Sequence, residues 1–217
     1  MHLKSVFAKS FLISFVCAIG FAIIAILIGE SNISSFDNKW TTLIQGMENA
    51  TLTTIMKFLT FIGQGLSITV ISIMIMIVLY AVLRYRWELF FFIGVVVGSS
   101  LLNVVLKTVF HRSRPTLHRI VDANGYSFPS GHSMAAFTLY GVLCFLLWKH
   151  ARTSLARTLL IVSGSIMIAA IGVSRIYLGV HYPSDVIGGY LASGTWLAVS
   201  IGIYQRMLEK RSATSSD

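Results

Sequence analysis

Six stretches of this chain run without a single Lys, Arg, Asp or Glu: Ser10–Gly29, Phe58–Leu83, Leu89–Leu106, Ser133–Trp148, Thr158–Ser174 and Val186–Gln205. A helix that crosses a bilayer needs about 20 predominantly apolar residues, within a range of about 17 to 25. Five of the runs are long enough as they stand, and Ser133–Trp148 becomes so once the uncharged Pro129–Gly131 adds a turn at the interface. The expected fold is therefore all-α: an integral membrane bundle of six transmembrane helices. It reads as one unit over residues 1–217, with no internal repeat and no soluble domain. Composition excludes the other classes. Charged residues are 12% of the chain and hydrophobic ones 55%, about half the charged fraction of a soluble domain, so neither a soluble enzyme nor a disordered tail fits. Three prolines and two cysteines leave no Pro-rich linker and no disulfide scaffold. Cys17 and Cys144, inside the first and fourth runs, are expected to be reduced packing residues.

Lys4 and Lys9 precede the first run, as in a signal peptide. Its uncharged length exceeds the usual h-region of about 7–15 residues, and Leu27-Ile28-Gly29-Glu30 offers no small-x-small cleavage site, so it is expected to remain as the first span. After it, Phe36, Trp40, Leu43, Ile44 and Met47 recur at helical spacing, with Asp37, Lys39 and Glu48 away from that stripe. This pattern predicts a short amphipathic helix in the interface, serving as a packing lid. Ser212–Asp217 reads as a frayed polar tail. With the N-terminus inside, ten of the 17 Lys and Arg residues face the cytoplasm and seven the other side. Retained positive charge favours that orientation, with both termini cytoplasmic.

Three segments on the outer side carry unusual residues: Lys107 through His111, Arg112 and Arg114 to Pro115; Pro129-Ser130-Gly131-His132; and Ser174-Arg175 through His181 to Asp185. The chain crosses the membrane twice between the loop holding the first two and the segment holding the third, so all three emerge on one face. Lys107, Arg114 and Arg175 would gather three positive charges there, which is costly unless an anion fills the space. Two guanidinium forks and one ammonium suit phosphoryl oxygens. Ser130 and Gly131 at a helix start add free N–H groups and the positive end of a helix dipole. Arg112 and Arg119 read as snorkelling interfacial anchors, and His2, His111, His118 and His150 as structural histidines. Met74 and Met76 read as lipid-facing or core residues.

His181 and Asp185 are spaced i, i+4, which brings the carboxylate to one imidazole nitrogen and leaves the other as a nucleophile. His132, beside the anion cradle, is placed to protonate a leaving alkoxide. The two histidines need opposite protonation states, so a bell-shaped rate profile is expected.

The three segments resemble the signature of the type 2 phosphatidic acid phosphatase superfamily: Lys, six residues, Arg-Pro; Pro-Ser-Gly-His; and Ser-Arg, five residues, His, three residues, Asp. Every signature position matches between Lys107 and Asp185, and the six-span layout is similar to the membrane branch, notably bacterial phosphatidylglycerophosphatase B and undecaprenyl-diphosphate phosphatase. The resemblance implies a lipid phosphate phosphatase in which His181 forms a phosphohistidine, Asp185 supports it and His132 protonates the leaving oxygen. Lys107, Arg114, Ser130, Gly131 and Arg175 would then hold the phosphate. It implies no metal or other cofactor, a membrane lipid phosphate as partner and no nucleic acid. Two other readings remain beside it: a membrane serine hydrolase using Ser130, His181 and Asp185, and a lipid or anion transporter.

Overall fold

Lipid offers the backbone no hydrogen bonds, so a spanning segment must satisfy its own N–H and C=O groups as a helix. The computed structural model describes residues 2–116 and 118–214, with side chains described for 7–116 and 118–211. It contains α1 (His2–Gly29), α2 (Ser34–Gln45), α3 (Ala50–Ile62), α4 (Gly65–Ile77), which continues into a π-helical turn over Val78–Val82, α5 (Arg86–Phe110), α6 (Gly131–Trp148), α7 (Ser154–Tyr177) and α8 (Pro183–Thr214). No strand occurs among the described residues. Six segments are long and apolar enough to span: Phe7–Gly29, Gly65–Val82, Arg86–Phe110, Gly131–Trp148, Ser154–Tyr177 and Pro183–Arg211. Their outward faces carry large apolar side chains such as Phe11, Leu66, Val82 and Leu155.

The second span departs from the expected Phe58–Leu83. That uncharged run is two helices, because Gly63-Gln64-Gly65 interrupts it and α4 begins only at Gly65. Phe58–Ile62 belongs to α3, which starts at a cap where the Asn49 side chain accepts from the Leu52 N–H at 2.9 Å. Lack of charge does not guarantee helical continuity where glycines flank a polar residue. Two short helices therefore follow α1. At the other end, α8 runs on through Thr214 where a frayed tail was expected, and residues 215–217 lie outside the described residues, as do the side chains of His2 and Lys4.

The amphipathic helix α2 forms, but with a different face inward. Ile44 is buried while Phe36, Trp40, Leu43 and Met47 stay exposed. Asp37, expected on the free side, is 1% exposed, because it meets a cation of the loop between α5 and α6 described below.

Helix α8 sits against α1, α5, α6 and α7. Close approach comes from small residues, the usual device where lipid removes the hydrophobic drive between helices. A Cβ on Gly98 of α5 would collide with the Trp196 ring of α8, whose Nε1 donates to the Val95 carbonyl at 2.9 Å. Other polar groups also pair internally: Ser99 with Thr138 at 2.8 Å, Tyr190 to the Ile168 carbonyl at 2.7 Å and Ser193 to the Met134 carbonyl at 3.1 Å. Cys17 packs on Gly194 and Cys144 on Gly164, and both thiols are free. Gly98→Leu should destabilise the bundle by about 1–3 kcal/mol through overpacking. Gly94→Ala, where a Cβ meets nothing within 4 Å, should be neutral or slightly stabilising; thermal unfolding in detergent compares the two.

Candidate active site

The spans bring the three unusual segments to one end of the bundle. Lys107 occupies the last turn of α5, which stops at His111 in the left-handed region, φ 47°. The loop then carries Arg112 and Arg114. Arg114 is held by loop carbonyls: Nε donates to Gly125 and Nη2 to Asn124, both at 3.0 Å, and Nη1 to Val180 at 2.8 Å. Lys107 donates to the Tyr126 carbonyl. The loop ends in a cis Phe128–Pro129 bond, with Phe128 buried between Phe21 and Phe110. Ser130 then caps α6, its hydroxyl taking the Ser133 N–H at 3.4 Å and the Ser133 hydroxyl at 2.9 Å. Gly131 allows the helix start to lie against Asn103.

Beyond α7 the chain makes a tight turn at Gly179, φ +72°, where a Cβ would run into the His118 carbonyl. This turn lets the Val180 and His181 N–H groups bond back to the Arg175 carbonyl at 3.2 and 3.3 Å. Pro183 opens α8, its fixed φ suiting a first helical position. The Asp185 carboxylate then takes the Tyr182 N–H on Oδ2 at 2.8 Å, while its backbone carbonyl takes the Ser130 N–H at 3.0 Å.

His181 is 1% exposed. Its Nδ1 lies 3.4 Å from Asp185 Oδ2 and 3.4 Å from the Ser127 hydroxyl, which itself donates to Oδ2. Its Nε2 lies 2.9 Å from Nη1 of Arg114. Arginine has only donors, so Nε2 is the acceptor and the neutral ring carries its proton on Nδ1. Burial pulls the imidazole down to about 4. The Asp185 carboxylate opposes that shift, and Arg114 and Arg175 add to it. Burial likewise lowers Arg114. His132, at the start of α6, feels the charges of Arg175, His181, Arg114 and Lys107. Lys107, Arg114, Arg175, His132, His181 and Asp185 thus lie close enough to feel one another's charges, and Ser130 joins them through its N–H to the Asp185 carbonyl.

Arg175 is 6% exposed and donates through Nη1 to Thr60 of α3, yet its Nε is buried without a partner among the described residues. An unpaired guanidinium N–H is expensive to keep, and a phosphoryl oxygen would satisfy it. Ser130, in contrast, is bonded to Ser133, and no contact joins its hydroxyl to His181 among the described residues. Nor do three His, Cys, Asp or Glu side chains among the described residues converge as metal ligands would.

The reading of Arg112 as a snorkelling anchor is overturned. Its Nη1 reaches Asp185 Oδ1 at 2.6 Å and its Nη2 reaches Asp37 Oδ2 at 2.7 Å. Burial works against the Arg112 charge, but Asp185 and Asp37 outweigh it and hold the group above its ordinary value. Arg119 bonds the Pro115 carbonyl within its own loop. His118 pairs with Glu48 at 2.6 Å, His111 packs on Tyr126, and His150 stacks on Tyr85. Ser127, Thr60, Asp37 and Arg112 were not legible as site residues. A buried acid on a short amphipathic helix and a second arginine two residues before Arg-Pro were the available signals.

A phosphatidylglycerophosphatase B of Bacillus subtilis is 37% identical over 108 residues, 49% of this chain and 53% of that protein, so the match spans about half of the relative's length. An undecaprenyl-diphosphatase of Sulfolobus acidocaldarius is 29% identical over 176 residues, 78% of each chain. The crystal structure of a transmembrane PAP2 type phosphatidylglycerolphosphate phosphatase from Bacillus subtilis superimposes with a TM-score of 0.80 at 27% identity, covering 88% of this chain and 94% of that one. The PAP2 superfamily model itself matches residues 87–208, more than half of the chain and the whole stretch from Lys107 to Asp185. This chain belongs to the PAP2 superfamily.

Proposed function

We propose that the protein hydrolyses a membrane lipid phosphate through a phosphohistidine on His181. The observation that carries this reading is the orientation of His181. Its Nδ1 is turned to Asp185 and its lone pair at Nε2 to the Arg114 guanidinium, where a phosphoryl group would sit among Lys107, Arg114, Arg175, Ser130 and Gly131.

In the first step Nε2 forms a bond to phosphorus. The bond to the lipid oxygen breaks, that oxygen keeps the electron pair, and His132 gives it a proton. In the second, water attacks phosphorus, His132 accepts the water's proton, and the P–N bond breaks with its pair returning to Nε2. Positive charge arranged in advance around the equatorial oxygens supplies most of the stabilisation, so the scheme needs no metal.

A cavity of about 640 Å³ supports a lipid as substrate. It runs from Gly131 and His132 between α4, α5 and α6 to Ile68, Met76 and Leu139, a mostly apolar path for a chain whose headgroup lies at the cations. Phosphatidylglycerophosphate and undecaprenyl diphosphate are the proposed substrates, giving phosphatidylglycerol and undecaprenyl phosphate. The Lys and Arg distribution favours a site on the extracytoplasmic face with both termini inside. The engagement of Ser130 with Ser133 argues against the serine hydrolase reading.

His181→Ala should abolish phosphate release from a panel of phosphatidylglycerophosphate, undecaprenyl diphosphate, phosphatidate and lysophosphatidate in detergent, and acid-labile phosphohistidine should be trapped only in proteins retaining His181. Near-parental turnover by His181→Ala, or an acyl-serine at Ser130, would sink the proposal. The acid limb of kcat/KM should lie near pH 4, where His181 takes a proton in the free protein. Stability should show the same group. An unfolded histidine titrates near 6.5, so between that value and about 4 the unfolded chain binds a proton that the folded one refuses. The contribution of neutral His181 is complete above about pH 6.5 and is lost as pH falls through the folded value. Thermal unfolding of His181→Gln should therefore depend less on pH over that window than the parent.

A further inference from the structure

Asp185 offers its two oxygens to different partners. Oδ2 faces His181 and takes the Ser127 hydroxyl and the Tyr182 N–H. Oδ1 takes Nη1 of Arg112 at 2.6 Å. The other arm of that guanidinium, Nη2, reaches Asp37 of α2 at 2.7 Å. Ser184 closes the ring: its N–H and hydroxyl donate to Asp37 at 2.9 and 2.6 Å, and its oxygen accepts from Arg112 at 2.7 Å. The Tyr182 ring packs against the guanidinium, 4.4 Å from its central carbon.

Two nearly inaccessible carboxylates on one guanidinium make a costly arrangement if anchoring is the only purpose. The interfacial helix has other ties, since Ile44 is buried and Gln45 donates to the His118 carbonyl at 3.0 Å. What the ring specifies is direction. A planar guanidinium clamped by Asp37 and Ser184 can meet Oδ1 in only a narrow range of carboxylate orientations.

We propose that Asp37 and Arg112 are positioning residues for the His181–Asp185 pair: Asp37, delivered by α2, holds Arg112 on Oδ1 of Asp185, which keeps Oδ2 aimed at Nδ1 of His181. The inference rests on His181 being the nucleophile. It also gives α2 a role beyond a lid, since the helix whose Phe36, Trp40 and Leu43 face outward is joined through one arginine to the reactive imidazole. The charged and titratable groups facing His181 are Asp185 from α8, Arg114 from the loop and Arg175 from α7. Lys107 of α5 and His132 of α6 border the same space.

The test uses the full chain in detergent or nanodiscs with a lipid phosphate as substrate, comparing Asp37→Asn, Arg112→Gln and Arg112→Lys. Each neutral variant should lose about 10- to 100-fold in kcat, as the loss of a hydrogen-bond partner that orients a metal's ligand does in metalloenzymes, with KM nearly unchanged. Arg112→Lys should recover only part, because an ammonium cannot bridge two carboxylates in a plane. The acid limb of kcat/KM should move to higher pH in Arg112→Gln, where Asp185 acts on His181 without a competing cation. It should stay or move lower in Asp37→Asn, where Arg112 faces Asp185 alone. General loosening would not displace the limbs in this divergent way.

In an Asp185→Asn background, Asp37→Asn should add little further loss, since it acts through the missing carboxylate. A folded Arg112→Gln with unchanged kcat and acid limb, or additive losses in the Asp185→Asn background, overturns the proposal. Should Arg112→Gln not fold, Asp37→Asn, Arg112→Lys and the double variant decide it. An active His181→Ala protein overturns the reaction scheme as well, whereas an inactive one beside unaffected Asp37 and Arg112 variants overturns only the positioning role.

Discussion

The buried carboxylate of Asp185 joins more of this molecule than any apolar contact at the site. It accepts from Arg112, Ser127 and the Tyr182 N–H and faces His181, while the same residue's backbone carbonyl accepts from Ser130. A carboxylate with no exposure is tolerable only when such donors replace water, and here the donors to the charge come from a long loop and the turn before α8, while the start of α6 reaches the same residue through its backbone carbonyl. Satisfying the carboxylate and the carbonyl of this one residue therefore ties all three signature segments together. Its place in the first turn of α8 adds the favourable end of the helix dipole.

Four cations surround this carboxylate, and they divide between two tasks. Arg112 meets the protein's own acids, Asp37 and Asp185. Lys107, Arg114 and Arg175 meet carbonyls, a hydroxyl and an imidazole lone pair instead, which in the proposed reaction leaves their charge for the phosphate. Two arginines only two residues apart thus differ in function because the loop turns one toward α2 and α8 and the other toward His181. The unpaired Nε of Arg175 is the clearest local sign of that uncommitted charge.

Much of this was legible in the residues. Uncharged length predicts spans because lipid punishes charge, and five of the six runs lie inside helices of the expected kind. The run Phe58–Leu83 failed because hydropathy does not report the break at Gly63-Gln64-Gly65, and with it went α3, the helix that brings Thr60 to Arg175. The residues of the proposed site stand out because their chemistry is scarce in a membrane chain and their segments emerge on one face by parity. Arg112 and Asp37 were not readable, because each has a bland local explanation, a snorkelling side chain and a polar edge. Their meaning lies in contacts 73 and 75 residues apart in the chain.

The sequence by itself determined that this chain is a helical membrane bundle and that three motifs share one end of it. Length, charge avoidance and span parity are local or additive properties, so they need no packing to be read. Only the tertiary structure decided which cation answers which anion, which nitrogen of His181 carries the proton, and that α2 turns its acid inward. Those outcomes depend on buried donors and acceptors finding one mutually consistent set of partners, and that set exists only when distant segments have packed.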